Sequence, residues 1–126
     1  AILCAAVADF RPSEQYAEKV KRGEDVLTIS LVPNKDIAAS LGKMKKTTQT
    51  LIGFALETND EETNALKKMA KKNLDYIVRN SLNDKGAGFK YDTNKVAILS
   101  KDGNRKDFPL KAKKDVASDI IDETLV

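Results

Sequence analysis

The 126-residue sequence has no histidine, no tryptophan and a single cysteine. Without histidine there is no Ser-His or Cys-His nucleophile pair and no His-ligated zinc site. One cysteine, Cys4, can neither close an internal disulfide nor form a thiolate cluster, which is typical of proteins in a reducing compartment. Any chemistry must therefore rest on lysine, arginine, carboxylates, amides, hydroxyls or a bound metal ion.

Long apolar runs and an excess of one charge are also missing. No stretch approaches the roughly 18 apolar residues of a membrane-spanning helix, and the start lacks the basic region of a signal peptide. The 22 basic residues oppose 19 acidic ones, and the net charge of +3 is too small for a nucleic-acid footprint. The sequence therefore predicts a cytoplasmic globular protein that binds neither membrane nor nucleic acid.

What is present is an alternation of apolar strands and amphipathic helices. The apolar run 1–8 predicts a strand buried on both faces, and because such a strand needs two neighbours, we expect an N-terminal part of the domain to be missing. The other predicted elements are strands over 26–32, 49–56 and 74–78, a helix from residue 37, a helix from a capping box at 58–61 to about residue 72, a hairpin of 96–99 with 108–110, and a helix from residue 113. This order predicts an α/β fold, with a three-layer, Rossmann-like, mostly parallel sheet and an antiparallel edge hairpin.

Polar residues follow the predicted strands where open α/β sheets hold their ligands. Asp9 suits a metal-nucleotide or a ribose, although its spacing alone favours a simple Asx turn. Asp36 opens a helix whose amides can bind an anion, and it also suits an ordinary N-cap. Lys68 and Lys72 share one helix face, for which a solvated surface is the default interpretation.

Two further segments have more than one interpretation. The polar stretch 13–25, which contains Lys19, is predicted to be a flexible flap, and it suits either a lid over phosphates or an ordinary surface loop. Cys4 is predicted to be buried as a small apolar residue, because the chain offers no base to activate its thiol.

Five short strings, in one order, extend this interpretation. They are AAVADFR at 5–11, EKVKR at 18–22, NKDI at 34–37, GFALET at 53–58 and KKNLD at 71–75. The series resembles the bacterial phosphopantothenoylcysteine synthetase domain (phosphopantothenate–cysteine ligase), usually fused to a decarboxylase in the bifunctional coenzyme A biosynthesis protein. The resemblance identifies residues 1–126 as the C-terminal portion of such a domain, without the family's N-terminal glycine- and serine-rich segments.

The resemblance implies a ligase reaction that needs no histidine. In this family the carboxylate of 4′-phosphopantothenate attacks the α-phosphate of CTP, and the amine of cysteine then displaces CMP from the acyl-cytidylate. Lysines and Mg²⁺ suit such charge stabilisation. The family also implies a homodimer and a cytoplasmic location, with FMN only in the fused flavoprotein decarboxylase.

The resemblance further implies a set of site residues. Lys19 opens a string like the family's K-I-K-K and is assigned the catalytic role, and Asp9 is a candidate magnesium ligand. The implied nucleotide contacts are Leu3, Cys4, Ala5, Asp9 and Lys19, the cytidine-holding segment Lys35, Asp36, Ile37 and Ala38, the base-lining Phe54, and Lys68 and Lys72.

Two other classes of protein compete with the ligase. One is a non-catalytic nucleotide-binding or oligomerisation module of the same fold. The other is a dinucleotide-binding oxidoreductase, which the missing G-x-G-x-x-G fingerprint disfavours.

Because the phosphate-binding segments of the family are not in this sequence, we expect the chain alone to lack the full active site.

Overall fold

The computed structural model describes residues 1–23, 26–57, 61–81 and 91–126. Most of the predicted capping box, at 58–60, lies outside the described residues. The chain divides into two units, one formed by Ala1–Cys4 with Ile37–Val126 and the other by Ala5–Asp36. We call them the sheet unit and the hairpin unit, and each is described by itself.

The described residues form nine strands and three helices. In chain order they are β1 (Ile2–Leu3), β2 (Phe10–Pro12), β3 (Leu31–Pro33), α1 (Ile37–Met44), β4 (Ile52–Glu57), α2 (Glu61–Lys72), β5 (Tyr76–Ser81), β6 (Thr93–Asn94), β7 (Val96–Ser100), β8 (Arg105–Asp107), β9 (Lys111–Ala112) and α3 (Lys113–Leu125). None of these helices is long and apolar enough to cross a membrane.

The sheet unit contains a five-stranded mixed sheet in the order β1-β4-β5-β7-β8. Strands β1, β4 and β5 are parallel to one another, whereas β7 is antiparallel to both β5 and β8. Strands β6 and β9 form a separate antiparallel pair. The predicted α/β class is confirmed. The prediction of a mostly parallel sheet is wrong for this sheet, which has two parallel and two antiparallel pairings.

Helices lie against both faces of this sheet. Alternate residues of each strand point to opposite sides, so each face has its own apolar residues for a helix to cover. One apolar cluster joins the sheet to α1 and α2, and the other joins it to α3. The first cluster comprises Leu51, Ala55, Ala65, Met69, Leu74, Ile77 and Leu99, with Leu3 and Leu41 packed against it. The second comprises Ile52, Val78, Val96, Ile98, Phe108, Val116 and Ile120, with Phe54 and Tyr76 packed against it.

The prediction of a strand over residues 1–8, buried on both faces, is wrong. Strand β1 has two residues and pairs with β4 alone among the described strands, so it forms an edge of the sheet. Ile2 is exposed and Leu3 is half-buried. Cys4, predicted to be buried, is exposed, because it follows the end of this edge strand.

The hairpin unit also differs from its prediction. A strand was expected over 26–32, but the observed strand β3 covers only 31–33 and pairs with β2 in an antiparallel ladder. Pro12 and Pro33 both lie within strands, although proline has no N–H to donate to a ladder. The ladder bonds join Ser13 N to Ser30 O and Asn34 N to Asp9 O, so both prolines occupy intervening pairs that need no N–H donor.

The predicted edge hairpin exists with a different second strand. Strand β7 pairs with β8 at 105–107 rather than with 108–110, across a turn in which Gly103 has a φ of +86°. Phe108 instead turns into the core beside α3, where its ring is buried. The apolar character that predicted a strand here therefore reflects packing against a helix.

The helices match their predictions in position, and only some of their apolar residues are buried. In α3, Val116 and Ile120 are buried, whereas Ile121 is exposed. In α2 the buried pair is Ala65 and Met69. Four other residues of α1 and α2 are exposed: Leu66, Ala70, Ile37 and Met44.

Candidate functional site

One end of the β2–β3 hairpin gathers several of the predicted site residues. Asn34 donates its backbone N–H to the Asp9 carbonyl at 2.8 Å and its side-chain amide to the Ala8 carbonyl at 2.8 Å. This bonding places Asp9 beside the start of the segment Lys35–Asp36. The structure therefore brings together two parts of the predicted site that are about 25 residues apart in the sequence.

Arg11 fixes this end of the hairpin, a role that the sequence reasoning missed. Its guanidinium donates hydrogen bonds of 3.1 Å to the Pro33 carbonyl and to the Asn34 side-chain oxygen. The only sequence signal for Arg11 was its place in the string AAVADFR. Both bonds are donated by the same nitrogen, Nη1.

Lys19 lies in the loop that joins the two hairpin strands. Residues 13–23 of this loop are exposed and form neither helix nor strand. An exposed ammonium keeps its hydration when the protein folds, so folding pays no desolvation cost for it. Such a group is accessible to an anionic ligand. Closure of the loop as a flap, and the catalytic role of Lys19, stay predictions.

The first turn of α1 carries Ile37 and Ala38, the predicted end of the cytidine-holding segment. The first N–H groups of a helix have no partner within the helix, and the helix dipole makes this end partly positive. Ala38 is small and half-buried. The arrangement suits hydrogen bonding to a nucleotide through amides rather than through side chains.

Helix α2 and strand β4 carry the remaining predicted contacts. Lys68 and Lys72 are both half-buried and lie four residues apart on α2, so they share one side of the helix. Phe54 packs with the cluster on the α3 side of the sheet, whereas α2 covers the other side. The structure thus pairs the two lysines but places Phe54 on the opposite face, and their contacts with a nucleotide stay predictions.

A buried carboxylate in the sheet unit was not singled out from the sequence. Asp75, which is 8% exposed, accepts hydrogen bonds from Lys45 Nζ at 2.5 Å, Lys101 Nζ at 2.7 Å and the Leu51 amide at 2.8 Å. Burial alone raises the pKa of this carboxyl, but the bonds from Lys101, Lys45 and Leu51 outweigh it and lower the pKa from 3.8 to about 2. We call these four residues the Asp75 cluster; it joins segments that precede β4 and β5 to the end of β7.

A preformed metal site is not seen in the described part of the chain, where no three of His, Cys, Asp and Glu lie together. Asp9 is the single carboxylate that the resemblance offers to a magnesium ion. One carboxylate is compatible with Mg²⁺, because this ion usually keeps several waters and takes its other ligands from substrate phosphates.

The sheet unit has features of a known class of protein. A helix N-terminus and two lysines that share one side of a helix, on an α/β scaffold, are typical of domains that bind phosphorylated ligands. The entire chain, residues 1–126, matches the family model described as the DNA/pantothenate metabolism flavoprotein C-terminal domain. The chain belongs to this family.

Two named proteins are similar to the chain over nearly its whole length. It is 46% identical over 122 residues to the coenzyme A biosynthesis bifunctional protein CoaBC of Bacillus subtilis (strain 168), covering 97% of the chain and 30% of that protein. It is 56% identical over 125 residues to a protein named cysteine/cysteine sulfinic acid decarboxylase, from an unknown prokaryotic organism, covering 99% of the chain and 35% of that protein. The chain therefore spans about a third of the length of these relatives.

Solved structures agree with these relatives. A crystal structure of the C-terminal domain of CoaBC is 39% identical, with a TM-score of 0.69, over 94% of this chain and 49% of that one. A DNA/pantothenate metabolism flavoprotein from Streptococcus pneumoniae, 19% identical, shares the fold with a TM-score of 0.56 over 79% of this chain and 43% of that one. The resemblance read from the five strings is confirmed, and the chain is homologous to the ligase domain of CoaBC.

Proposed function

We propose that this chain carries the CTP-binding part of a phosphopantothenate–cysteine ligase in coenzyme A biosynthesis. The observation that carries the proposal is the homology over nearly the whole chain to CoaBC and to its C-terminal domain. The Asp9–Asn34 pairing supports it, because the backbone of Asp9 is hydrogen-bonded to the residue that directly precedes Lys35 and Asp36.

The proposed reaction has two steps that balance without an oxidant or reductant. A carboxylate oxygen of 4′-phosphopantothenate forms a bond to the α-phosphorus of CTP, and the bond to the bridging oxygen breaks to release pyrophosphate. The cysteine amine then forms a C–N bond to the activated carbonyl carbon, CMP leaves with the C–O electron pair, and the amine loses a proton. Both steps build negative charge on phosphate oxygens.

The residues of this chain act mainly by placing positive charge and N–H donors. The exposed Lys19 ammonium approaches the α-phosphate and stabilises its charge as the acyl-cytidylate forms. The amides at Ile37 and Ala38 hold the cytidine, and Lys68 and Lys72 neutralise the nucleotide's anionic groups. Asp9 would hold Mg²⁺ together with the phosphates; the bound ion supplies charge neutralisation.

Replacement of the proposed catalytic lysine tests this proposal. In the full-length form of the protein, we expect Lys19→Gln to lower amide formation by about 100-fold or more while CTP binding is largely kept. Lys114→Gln, on the exposed surface of α3, removes the same charge elsewhere and is the matched control. Unchanged turnover in Lys19→Gln would overturn the role of Lys19, and CTP binding without any amide formation by the unmodified protein would favour the non-catalytic module.

Homodimer formation is a further part of the proposal, and the hairpin unit supports it. Phe10, Pro12, Leu31 and Pro33 lie on one face of the two-stranded ladder, and Phe10 and Leu31 are each 58% exposed. A second copy that covers this apolar face would remove it from water and stabilise the hairpin. We expect Leu31→Asp to shift the mass measured by light scattering from dimer to monomer, while Ser30→Asp, on the other face, leaves it unchanged.

A further inference from the structure

Helix α1 contacts the end of α2 through a glycine that no other residue can replace without movement. A Cβ placed on Gly42 would lie 1.9 Å from the backbone carbonyl oxygen of Lys72. Real Cβ atoms essentially never come within 3.0 Å of such an atom, so any side chain at residue 42 forces a retreat of at least about 1.1 Å. Gly53 provides a contrast, because its nearest neighbour is the movable tip of a leucine side chain.

Asn73 also stabilises the contact between α1 and α2. Its side-chain amide donates a hydrogen bond of 2.8 Å to the Gly42 carbonyl, and its backbone has a φ of +52°. The N–H groups of Asn73 and Leu74 bond back to the carbonyls of Ala70 and Met69, which is the Schellman pattern of a helix end. The last turn of α2 is therefore held rigidly while its terminal carbonyl faces α1.

The contact between Gly42 and the Lys72 carbonyl, which we call the junction, joins α1 and α2. The proposed function assigns both helices to the nucleotide site. Helix α1 begins with Ile37 and Ala38, and Lys72 supplies the carbonyl that Gly42 approaches. We propose that Gly42 and Asn73 are positioning residues that set the spacing between α1 and the lysines of α2, and thereby the affinity for the nucleotide; this rests on the proposed function. A shift of about 1 Å between two contacting elements is enough to weaken a ligand site by one to two orders of magnitude.

Two substitutions test the proposal in the full-length form of the protein. Gly42→Ala is expected to raise the KM for CTP by about 10-fold or more, with the KM for cysteine nearly unchanged. Asn73→Gly keeps the left-handed backbone and adds no clash, but it removes the bond to the Gly42 carbonyl, so a rise of about 3-fold in the KM for CTP is expected. This second variant keeps the test decisive if Gly42→Ala does not fold.

Gly103→Ala is the control for general loosening. It makes the same substitution in the turn after β7, where nothing lies within 4 Å of the added methyl group, and its KM for CTP is expected to match that of the unmodified protein. An equal rise in Gly103→Ala, or unchanged values in both junction variants, would overturn the positioning role.

Lys72→Gln separates this proposal from the proposed function. If it raises the KM for CTP but neither junction variant does, the nucleotide assignment stands and the positioning role fails. If Lys72→Gln has no effect on the KM for CTP while a junction variant raises it, the assignment of Lys72 fails and the positioning role is kept through α1 and Lys68.

Discussion

Replacement of Asp75 by asparagine is the sharpest test of the Asp75 cluster. The substitution keeps the size of the side chain and one oxygen acceptor for the Leu51 amide, but it removes the negative charge between Lys45 and Lys101. The Lys45 side chain is only 12% exposed, so its ammonium is left without a counter-charge in a poorly hydrated position. Lys101 is 58% exposed at its side chain, and its share of the loss is small.

The pKa of Asp75 gives the size of the effect. A fall from 3.8 to about 2 corresponds to about 2 kcal/mol of folding free energy at neutral pH. The stranded Lys45 adds to this, so we expect Asp75→Asn to lower the free energy of unfolding by about 2 to 4 kcal/mol at pH 7. Asp102→Asn, in the exposed turn after β7, is the matched control and is expected to cost less than about 0.5 kcal/mol.

The pH dependence has a fixed direction. Because the folded pKa of Asp75 lies below the unfolded value, its stabilisation is present above about pH 4 and is lost as the pH falls toward 2. Urea denaturation between pH 7 and pH 2 should therefore show the gap between the unmodified protein and Asp75→Asn narrowing, by about half near pH 3. A gap that stays constant over this range, or a cost below about 0.5 kcal/mol at pH 7, would refute the reasoning.

Two further predictions concern Cys4 and Gly103. The exposed Cys4 thiol should react with a disulfide reagent to one equivalent in the native protein, and a thiol that reacts only in denaturant would contradict its exposure. Gly103→Ala should cost about 1 kcal/mol in urea denaturation, because φ is +86° and no atom lies near the added methyl group, so the cost is purely one of backbone conformation. Gly103→Asn should cost less, and equal costs for both variants would point to a steric cause.

Helices were the part of the fold that the sequence revealed best. Their signals are local, since the period of apolar residues and the flanking polar residues lie within one segment. The errors came where burial depends on remote partners. Residues 1–8 are apolar enough for a central strand, yet β1 is a short edge strand, and its number of neighbours could not be read from its own residues.

Non-local contacts also explain which parts of the candidate site were missed. The partners of Asp75 come from residues 45, 51 and 101, and no spacing in the sequence relates them. The sequence around Gly42 also gave no sign of its role, because the need for glycine arises from the Lys72 carbonyl, 30 residues later in the chain. The pairing of Asp9 with Asn34 also arises only when the hairpin forms, although the strings that contain these residues were visible from the start.

Release of pyrophosphate from CTP in the absence of cysteine tests the proposed ligase most directly. The full-length form of the protein, given CTP, Mg²⁺ and 4′-phosphopantothenate, should release about one pyrophosphate per active site and then stop until cysteine is added. Addition of cysteine should then give continuous turnover with formation of CMP and the amide. Pyrophosphate release that does not need 4′-phosphopantothenate, or binding of NAD(P)H in preference to CTP, would contradict the proposed function.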